Sequence, residues 1–250
     1  MITQEAMESL PGRLFIVEGI DGSGKSTQVD LLHKWLVSEG YLVLFSEWNS
    51  SPIVKQTTKR GKKQQLLSPR SFSLIHAADF ANRFHEQIVP ALHAGVIVLA
   101  DRYVYTAYAR DAARGVERDW LRHLYSFAVE PTLGFYFDVP LDEAINRIST
   151  NRDQLKFYEA GMDLGLSDDP AESFRLFQGR IKDEYDKIVT EYELTRVDAT
   201  RNLVDQQHEI REMVKPYLNG VLQTDVSDLQ KALADAGLTG RYLGEQDNNR

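Results

Sequence analysis

Short apolar runs recur along the chain and predict the strands of a parallel sheet. The runs are rich in Val, Ile, Leu and Phe, and their apolar positions are continuous instead of alternating. Continuous apolar runs are typical of strands that are covered on both faces. Five strands are predicted, at residues 14–17, 41–45, 96–100, 134–139 and 194–197.

Longer segments with apolar residues near helical spacing separate these runs and predict helices. The predicted helices cover residues 25–38, 69–93, 119–129, 141–149, 170–192 and 203–218. Alternating strands and helices predict an α/β fold, in which a five-stranded parallel sheet carries helices on both faces. Ligands in such folds bind at the carboxyl ends of the strands, so the chemistry should lie just after each strand.

Segments outside this pattern indicate how the chain is organised. Residues 1–12 form a predicted N-terminal arm, and residues 13–219 form one domain. Residues 151–169 lie between two helices and contain Gly161 and Gly165. A connection this long in a compact domain is usually functional or mobile. Residues 220–250 become increasingly polar, so we expect a C-terminal extension that is partly disordered.

Composition and charge exclude several classes of protein. The chain has 250 residues and no cysteine, which excludes disulfides, thiolate zinc sites and cysteine nucleophiles. No apolar stretch approaches the ~20 residues needed to span a bilayer, and residues 1–12 lack a signal-peptide layout, so we expect a cytoplasmic protein with no membrane partner. Nucleic acid is not an expected partner, because the net charge is −8 and nucleic-acid-binding proteins usually carry a basic face.

A glycine-rich segment directly after the first predicted strand matches the phosphate-binding pattern G-x-x-x-x-G-K-[ST] in full. Its glycines let the backbone curl so that successive N–H groups point at an anion. Lys25 should reach the β- and γ-phosphates of a nucleoside triphosphate, and Ser26 should offer its hydroxyl to Mg²⁺. The residues predicted to bind the triphosphate are Gly19, Ile20, Asp21, Gly22, Ser23, Gly24, Lys25, Ser26 and Thr27.

Asp101 and Arg102 directly follow the third predicted strand. A carboxylate at the end of a buried strand beside the phosphate loop is the usual second link to Mg²⁺, so Asp101 is predicted with Ser26 at the metal site. The rigid fork of donors on Arg102 suits phosphoryl oxygens. The alternative is an Asp that caps a helix, followed by a surface Arg.

Further motifs accompany the phosphate loop with its strand and Asp101-Arg102-Tyr103: they are His76-Ala77-Ala78-Asp79, Ile88-Val89-Pro90-Ala91-Leu92 and Val197-Asp198-Ala199-Thr200. With this set and order of motifs, the chain resembles the thymidylate kinase family of nucleoside-monophosphate kinases over residues 13–218. The resemblance implies a three-layer P-loop NTPase fold with sheet order 2-3-1-4-5 and a lid at residues 151–169. It also implies Mg²⁺-dependent transfer of a phosphoryl group from ATP to a nucleoside monophosphate, in the first place dTMP, giving dTDP.

The resemblance also implies roles for individual residues. Gly22 stands where some family members carry a catalytic Arg, so the catalytic cation should come from the lid, as Arg152 or Lys156. With Lys25, Asp101 and Arg102, this cation completes the predicted catalytic set. Asp198, Ala199 and Thr200 resemble the loop beside the donor adenine. The residues that the resemblance assigns to the acceptor are Asp21, Glu47, Phe72, Arg102, Thr106 and Arg110.

The family commonly forms dimers through its long helices, and the apolar face of residues 69–93 would permit a homodimer. Several acceptor-side positions depart from the family, however. Where the family usually reads Arg-Glu-Pro-Gly-Gly, this chain reads Ser46-Glu47-Trp48-Asn49-Ser50, and the Asp-Arg pair of the long helix is Asp79-Phe80, with Arg83 one turn on. The acceptor therefore stays open between dTMP, another or modified nucleotide and a polynucleotide end, and triphosphate hydrolysis by a switch protein is the alternative without transfer.

One short basic run has no place in this scheme. Residues 55–63 contain five basic side chains, in a region that the resemblance places beside the acceptor. One interpretation is additional recognition of an anion, since phosphate contacts need Lys and Arg. The other is a solvated loop face, which is what charge runs usually are.

Overall fold

The computed structural model describes residues 10–151 and 155–223. Its centre is a five-stranded sheet whose strands all run parallel, in the order β2-β3-β1-β4-β5. This confirms the predicted α/β class, strand number and strand order. The strands are β1 (Arg13–Glu18), β2 (Val43–Glu47), β3 (Ile97–Asp101), β4 (Leu133–Asp138) and β5 (Thr195–Asp198).

The central strand β1 forms because its residues are apolar and covered on both faces. It pairs with β3 on one side and with β4 on the other, so that Val17 lies between Asp101 and Phe135. Side chains 14–17 are at most 2% exposed, and full burial of such a side chain contributes roughly 1.5–3 kcal/mol. All five predicted strands agree with the observed ones to within two residues at each end.

The described ranges contain these α-helices: α1 (Lys25–Ser38), α2 (Pro52–Lys63), α3 (Pro69–Arg83), α4 (Val89–His93), α5 (Val104–Ala113), α6 (Arg118–Leu124), α7 (Leu141–Asn151), α8 (Pro170–Glu191) and α9 (Leu203–Val214). They also contain two short 3₁₀ segments, Met162–Leu164 and Lys215–Leu218. Helix α1 packs against β1, β2, β3 and α9, whereas α5 packs against α3, α6 and α8.

Helices α2 and α5 are absent from the sequence predictions. Helix α2 buries only Thr58 and Gly61, so it has almost no apolar periodicity to reveal it. Helix α5 is buried nearly all round, so it has no polar face. A pattern argument needs both an apolar and a polar face, and each of these helices lacks one of them.

The segment predicted as one helix at residues 69–93 is α3, a π-helical turn at Phe84–Ile88, and α4. Pro90 lies in the first turn of α4. It has no backbone N–H to donate into the preceding turn, and its ring crowds the carbonyl four residues before it. The wider π-turn accommodates both effects and shifts the register between the two halves.

The ends of the chain carry two predictions that the structure leaves untested. The N-terminal arm at residues 1–12 and the extension at residues 220–250 lie mostly outside the described residues. Where the described chain ends, Gln223 forms an isolated antiparallel bridge with Tyr41. Across the described ranges, no helix combines the length and apolar character required to cross a membrane.

Candidate active site

The phosphate loop connects β1 to α1 at the carboxyl end of the central strand. Gly19, Gly22 and Gly24 have φ angles of 148°, 83° and 81°, which residues with a side chain rarely adopt. Gly24 is the N-cap of α1, so the unpaired N–H groups of the first helical turn face the loop. The backbone therefore has the curl that the motif predicts, and such a curl can hold phosphate oxygens.

Gly22 lies directly against helix α7. A Cβ atom at this position would be 2.3 Å from the carbonyl oxygen of Ala144, so no side chain fits there. This contact supports the prediction that the catalytic cation comes from outside the loop. Of the two lid candidates, Arg152 lies outside the described residues and Lys156 is exposed.

Lys25, the first residue of α1, is 5% exposed. Its ammonium group donates to the backbone oxygen of Ile20 at 3.3 Å. Burial and the nearby guanidinium of Arg102 lower the pKa of Lys25 to about 8. A phosphate group would stabilise the charged form of this ammonium, so the residue is placed to receive one.

Ser26 and Asp101 lie together, as the sequence predicts for a metal site. The Ser26 hydroxyl donates to Oδ2 of Asp101 at 3.1 Å, and the buried Oδ1 of Asp101 has no partner among the described residues. Mg²⁺ is usually held by one or two protein groups, with water and phosphates as its other ligands, so this pair fits it. No cluster of three His, Asp or Glu side chains that could hold a metal ion by itself occurs in the part of the chain that the structure describes.

A buried carboxylate holds the turn that carries Arg102. The φ angle of Arg102 is 74°, in the left-handed region, and its N–H donates to the backbone oxygen of Val17. Glu18 is fully buried at the end of β1 and accepts from the N–H groups of Tyr103 at 2.7 Å and Thr106 at 3.2 Å. Sequence reasoning missed Glu18, although an acidic residue that ends a buried apolar strand is a signal that could have found it.

Thr106, a predicted acceptor residue, contacts the same buried carboxylate. Its hydroxyl is buried, donates to Oε2 of Glu18 at 2.6 Å and lies 3.0 Å from the hydroxyl of Tyr185. Thr106 therefore completes the anchor of the Arg102 turn, and its predicted contact with the acceptor stays a prediction. Burial raises the pKa of Glu18, in spite of the hydrogen bonds that it accepts.

Asp21 joins the phosphate loop to two arginines and to helix α8. Its Oδ1 accepts from Arg102 at 2.6 Å and its Oδ2 accepts from Arg110 at 2.5 Å. Gln178 of α8 accepts from the Asp21 N–H at 3.2 Å and donates to its carboxylate at 3.3 Å. Burial would raise the pKa of Asp21, but Arg110 and Arg102 hold it well below its usual value. The structure thus brings three of the predicted acceptor residues together beside Lys25.

The segment after β2 packs against α3. The ring of Trp48 lies 5.9 Å from that of His76, and the guanidinium of Arg83 lies 5.4 Å from the Trp48 ring. Arg83 is 1% exposed and donates to Asp79 at 2.9 Å and to the hydroxyl of Ser46 at 2.7 Å. Arg83 therefore fixes this segment to α3. The ring of Trp48 is half-buried, so part of it stays exposed.

Phe72 is 6% exposed because other side chains cover its ring. The ammonium of Lys62 lies 5.0 Å and the guanidinium of Arg114 lies 4.8 Å from the ring centre, and the ring of His76 lies 4.3 Å away. The Nε2 atom of His76 is buried without a partner among the described residues. Burial and the cations around it hold the pKa of His76 well below its usual value, so the ring is neutral.

Glu47, another predicted acceptor residue, is exposed and lies beside Asp101 in the sheet.

One arginine connects the predicted adenine loop, residues 198–200, with the phosphate loop. Thr200 donates its N–H and its hydroxyl to Oδ1 of Asp198, at 2.9 and 2.6 Å. Arg147 of α7 donates to the backbone oxygen of Ala199 at 3.0 Å, and its Nη1 lies 3.9 Å from a Cβ built on Gly24. Sequence reasoning missed Arg147, which shares a helix face with Ala144, the residue that contacts Gly22.

Residues 155–169 of the predicted lid pack onto the acceptor side. Arg114 donates to Oδ2 of Asp163 at 3.1 Å and to the backbone oxygen of Tyr158 at 2.7 Å. The N–H of Leu67 donates to the hydroxyl of Tyr158 at 3.1 Å. These contacts tie the second half of the predicted lid to α5 and to the connection between α2 and α3, and its mobility stays a prediction.

Known proteins with similar sequences agree in their names. The sequence model of the family described as "Thymidylate kinase" matches residues 17–210. "Probable thymidylate kinase 2" of Saccharolobus solfataricus is 43% identical over 213 residues, which cover 84% of this chain and 99% of that protein. "Probable thymidylate kinase" of Thermococcus gammatolerans is 31% identical over 79% of this chain and 92% of its own. "Thymidylate kinase" of Thermoanaerobacter sp. is 27% identical over 84% of this chain and 100% of its own.

Proposed function

Because this chain belongs to the thymidylate kinase family, we propose that it transfers the γ-phosphoryl group of Mg²⁺-bound ATP to dTMP, giving ADP and dTDP. The family makes the chain a nucleoside-monophosphate kinase, a phosphotransferase. The observation that best supports the proposal is that Asp21, Arg102 and Arg110 meet beside Lys25. Cations from two elements at one point suit a reaction between two phosphate groups, which repel each other until their charge is neutralised.

The donor would lie along the phosphate loop. Its phosphates would accept from the backbone N–H groups of the loop, and Lys25 would neutralise charge on the β- and γ-phosphates. Arg147 and residues 198–200 would flank the adenine. Ser26 and Asp101 would hold Mg²⁺, which when bound neutralises phosphate charge further.

The phosphate of the acceptor would bind to Arg102 and Arg110 in place of part of their contact with Asp21. In the free protein Asp21 neutralises Arg102 and Arg110, and the phosphate of the acceptor would take over part of that role. An oxygen of this phosphate forms a bond to the γ-phosphorus, and the bond from the γ-phosphorus to the bridging oxygen breaks, so ADP leaves with the electron pair. The attacking oxygen is already ionised at neutral pH, so the protein needs no strong general base.

Water has to be kept from the γ-phosphate, because otherwise ATP is hydrolysed. The predicted lid would exclude water, and its second half already contacts Arg114 through Asp163 and Tyr158. Arg114 is buried and is the C-cap of α5, the helix that carries Arg110. Closure of the lid and binding of the acceptor would therefore act on the same helix.

A second candidate is the same reaction on a different nucleoside monophosphate. The observation that favours it is the position of Arg83, which is buried against Asp79 and Ser46 and supports Trp48. If Trp48 flanks the acceptor base, the contacts of that base would differ from the family pattern.

An acceptor panel with Mg-ATP tests the proposal. Formation of ADP is measured with dTMP, dUMP, dCMP, dAMP, dGMP and a 5′-phosphorylated oligonucleotide, and without acceptor. We expect dTMP to give the highest kcat/KM and the blank to give almost no ADP. Turnover confined to another acceptor would support the second candidate, and acceptor-independent hydrolysis would contradict a kinase.

We also propose a homodimer formed through α3. Leu74 on this helix is 51% exposed, which is consistent with an apolar contact to a second copy. Light scattering coupled to size-exclusion chromatography tests this, and a monomer at all concentrations would contradict it.

A further inference from the structure

The basic run at residues 55–63 is part of a helix, and its side chains do not share one environment. Lys55, Lys59, Arg60 and Lys63 of α2 are exposed. Lys62 is half-buried and lies on the same helix face as the buried Thr58, four residues earlier. The interpretation as a solvated face therefore fits four of the five cations. It does not explain why Lys62 is half-buried.

Lys62 points into a group of cations on the acceptor side. Its ammonium lies 5.0 Å from the centre of the Phe72 ring, and among the described residues no carboxylate lies within ion-pair distance of it. Burial, Arg110, Arg114 and Lys156 together lower its pKa to about 8. Two of these neighbours have carboxylate partners, Arg110 with Asp21 and Arg114 with Asp163, whereas Lys62 has no such partner among the described residues.

A half-buried ammonium among like charges is unfavourable unless an anion joins it. The concentration of positive charge here stands out in a chain whose net charge is −8. Arg110 relates this group of cations to the phosphate loop, because its guanidinium also contacts Asp21 of that loop. An anion that touches Lys62 and Arg110 would thus lie next to the loop where the donor binds.

The segment after β2 supplies no cation for this purpose. Ser46 stands where the family pattern has Arg, and its hydroxyl accepts from the buried Arg83. We infer that Lys62 of α2 binds the phosphate of the acceptor nucleotide together with Arg110, and so provides from a helix the cation that the β2 segment lacks. This inference rests on the proposed function, since it concerns the acceptor of the same reaction.

Lys62→Met tests the inference, with Lys63→Met as the matched control on the exposed side of α2. The binding of dTMP is measured by calorimetry without ATP, and KM for dTMP and ATP is measured at saturating partner. A hydrogen bond between charged groups typically supports about a tenfold difference in affinity or more. We expect Lys62→Met to weaken dTMP binding by about tenfold or more and to leave KM for ATP close to wild type. Lys63→Met should have the dTMP affinity and both KM values of wild type.

Thymidine separates the phosphate from the base. Its weaker binding, measured by competition with dTMP, should be unchanged in Lys62→Met if Lys62 contacts the phosphate. An equal loss of thymidine and dTMP affinity would overturn the phosphate assignment. Unchanged dTMP affinity in a folded Lys62→Met protein would overturn the inference as a whole.

The pH dependence gives an independent readout. Lys62 loses its charge as the pH rises through about 8 in the free protein, whereas an Arg at this position stays charged. In wild type, dTMP affinity should fall above this pH, and Lys62→Arg should remove part of the fall. Lys25 has a similar pKa, so the difference between the two proteins is the measurement. The charged and titratable groups that face Lys62 are Arg110 of α5, Arg114 at the C-cap of that helix, Lys156, and Asp79 and His76 of α3.

Failure of the inference can be told apart from failure of the proposed function. If wild type does not phosphorylate dTMP, the dTMP proposal fails, and the same comparison is made with the monophosphate that the panel identifies. In that case a Lys62→Met loss for this monophosphate, with its nucleoside unaffected, still supports the inference. If dTMP is the substrate and Lys62→Met behaves like Lys63→Met, the function stands and the inference does not.

Discussion

The Oδ2 atom of Asp21 lies 2.5 Å from the Nη2 atom of Arg110, so the phosphate loop is joined directly to helix α5. The other carboxylate oxygen of Asp21 accepts from Arg102 at 2.6 Å. One carboxylate thus keeps two guanidinium groups side by side, which their mutual repulsion would otherwise oppose. Two guanidinium groups are therefore already aligned in the free protein, as the proposed binding of an acceptor phosphate would require.

Asp21→Asn removes the charge but keeps the shape. Without the carboxylate, Arg102 and Arg110 lose their common partner and should adopt several arrangements. We expect kcat/KM for the acceptor to fall by about 10- to 100-fold, since hydrogen bonds between charged groups contribute about 1.5–3 kcal/mol each. Steady-state kinetics with both substrates measures this. A loss confined to ATP binding would contradict the role given to Asp21.

Lys25→Ala should abolish transfer while the protein stays folded. In the proposed mechanism the ammonium neutralises donor charge in the transition state, and in the free protein it donates to the Ile20 carbonyl. The measurement is phosphoryl transfer together with thermal unfolding. Lys34→Ala is the control, because Lys34 lies on the same helix, is exposed and pairs with Asp30. Near-normal activity of purified Lys25→Ala would show the mechanism to be wrong.

Gly22→Ala measures the contact between the phosphate loop and α7. The new Cβ would meet the Ala144 carbonyl oxygen at 2.3 Å, at a φ of 83°. Gly220→Ala is the control for backbone strain alone, because its φ is 77° and nothing lies within 4 Å of a Cβ there. We expect Gly22→Ala to cost about 1–3 kcal/mol more than Gly220→Ala in urea unfolding, as overpacking typically does, and to impair ATP binding. Equal costs for the two variants would show that α7 yields at this contact.

Glu18 allows a paired test of the Arg102 turn. Glu18→Ala leaves the N–H groups of Tyr103 and Thr106 without their acceptor, and each such buried group costs about 1–3 kcal/mol. Glu18→Gln keeps an oxygen for these two groups and should stay folded and active. Urea unfolding and acceptor kinetics of both variants are the measurements. Full activity of Glu18→Ala would show that the turn does not depend on Glu18.

The pH dependence of the same pair follows from the raised pKa of Glu18. The folded protein binds this proton more tightly than the unfolded chain, so the group contributes stability below the unfolded pKa of 4.5 that is lost as the pH rises towards the folded value. Glu18→Gln removes this ionisation. The free energy of unfolding of wild type should therefore decline relative to Glu18→Gln as the pH rises above about 4.5, and urea titrations at several pH values measure it.

The sheet and the donor side were predictable from the sequence because the signals are local. The strands are continuous apolar runs, and a single motif of eight residues contains the loop glycines, Lys25 and Ser26. Ser26 and Asp101 also meet as predicted, because β1 and β3 are neighbours in the sheet. Strand order therefore converts two distant sequence motifs into one site.

The acceptor side was harder to predict because its residues act through tertiary contacts. Thr106 stands where the family places an acceptor residue, yet its hydroxyl bonds to Glu18, 88 positions away in sequence. Lys62 lies on α2, which has almost no apolar face, so neither the helix nor the inward direction of the side chain can be read from the pattern. The catalytic role of Arg152 stays a prediction, because this residue lies outside the described ranges.

The position of β1 in the centre of the sheet has a consequence for synthesis of the protein. The strand that precedes the phosphate loop is made first, but its two neighbours begin at residues 97 and 133, and the Ala144 contact with Gly22 comes later still. Such long-range pairing is slow, because much chain entropy is lost before any contact compensates for it. The phosphate loop of a nascent chain therefore cannot reach its final packing until more than half of the chain has emerged from the ribosome. Until residue 97 has emerged, β1 has neither of its neighbouring strands to pair with, so its apolar residues remain available to chaperones or to other unfolded chains.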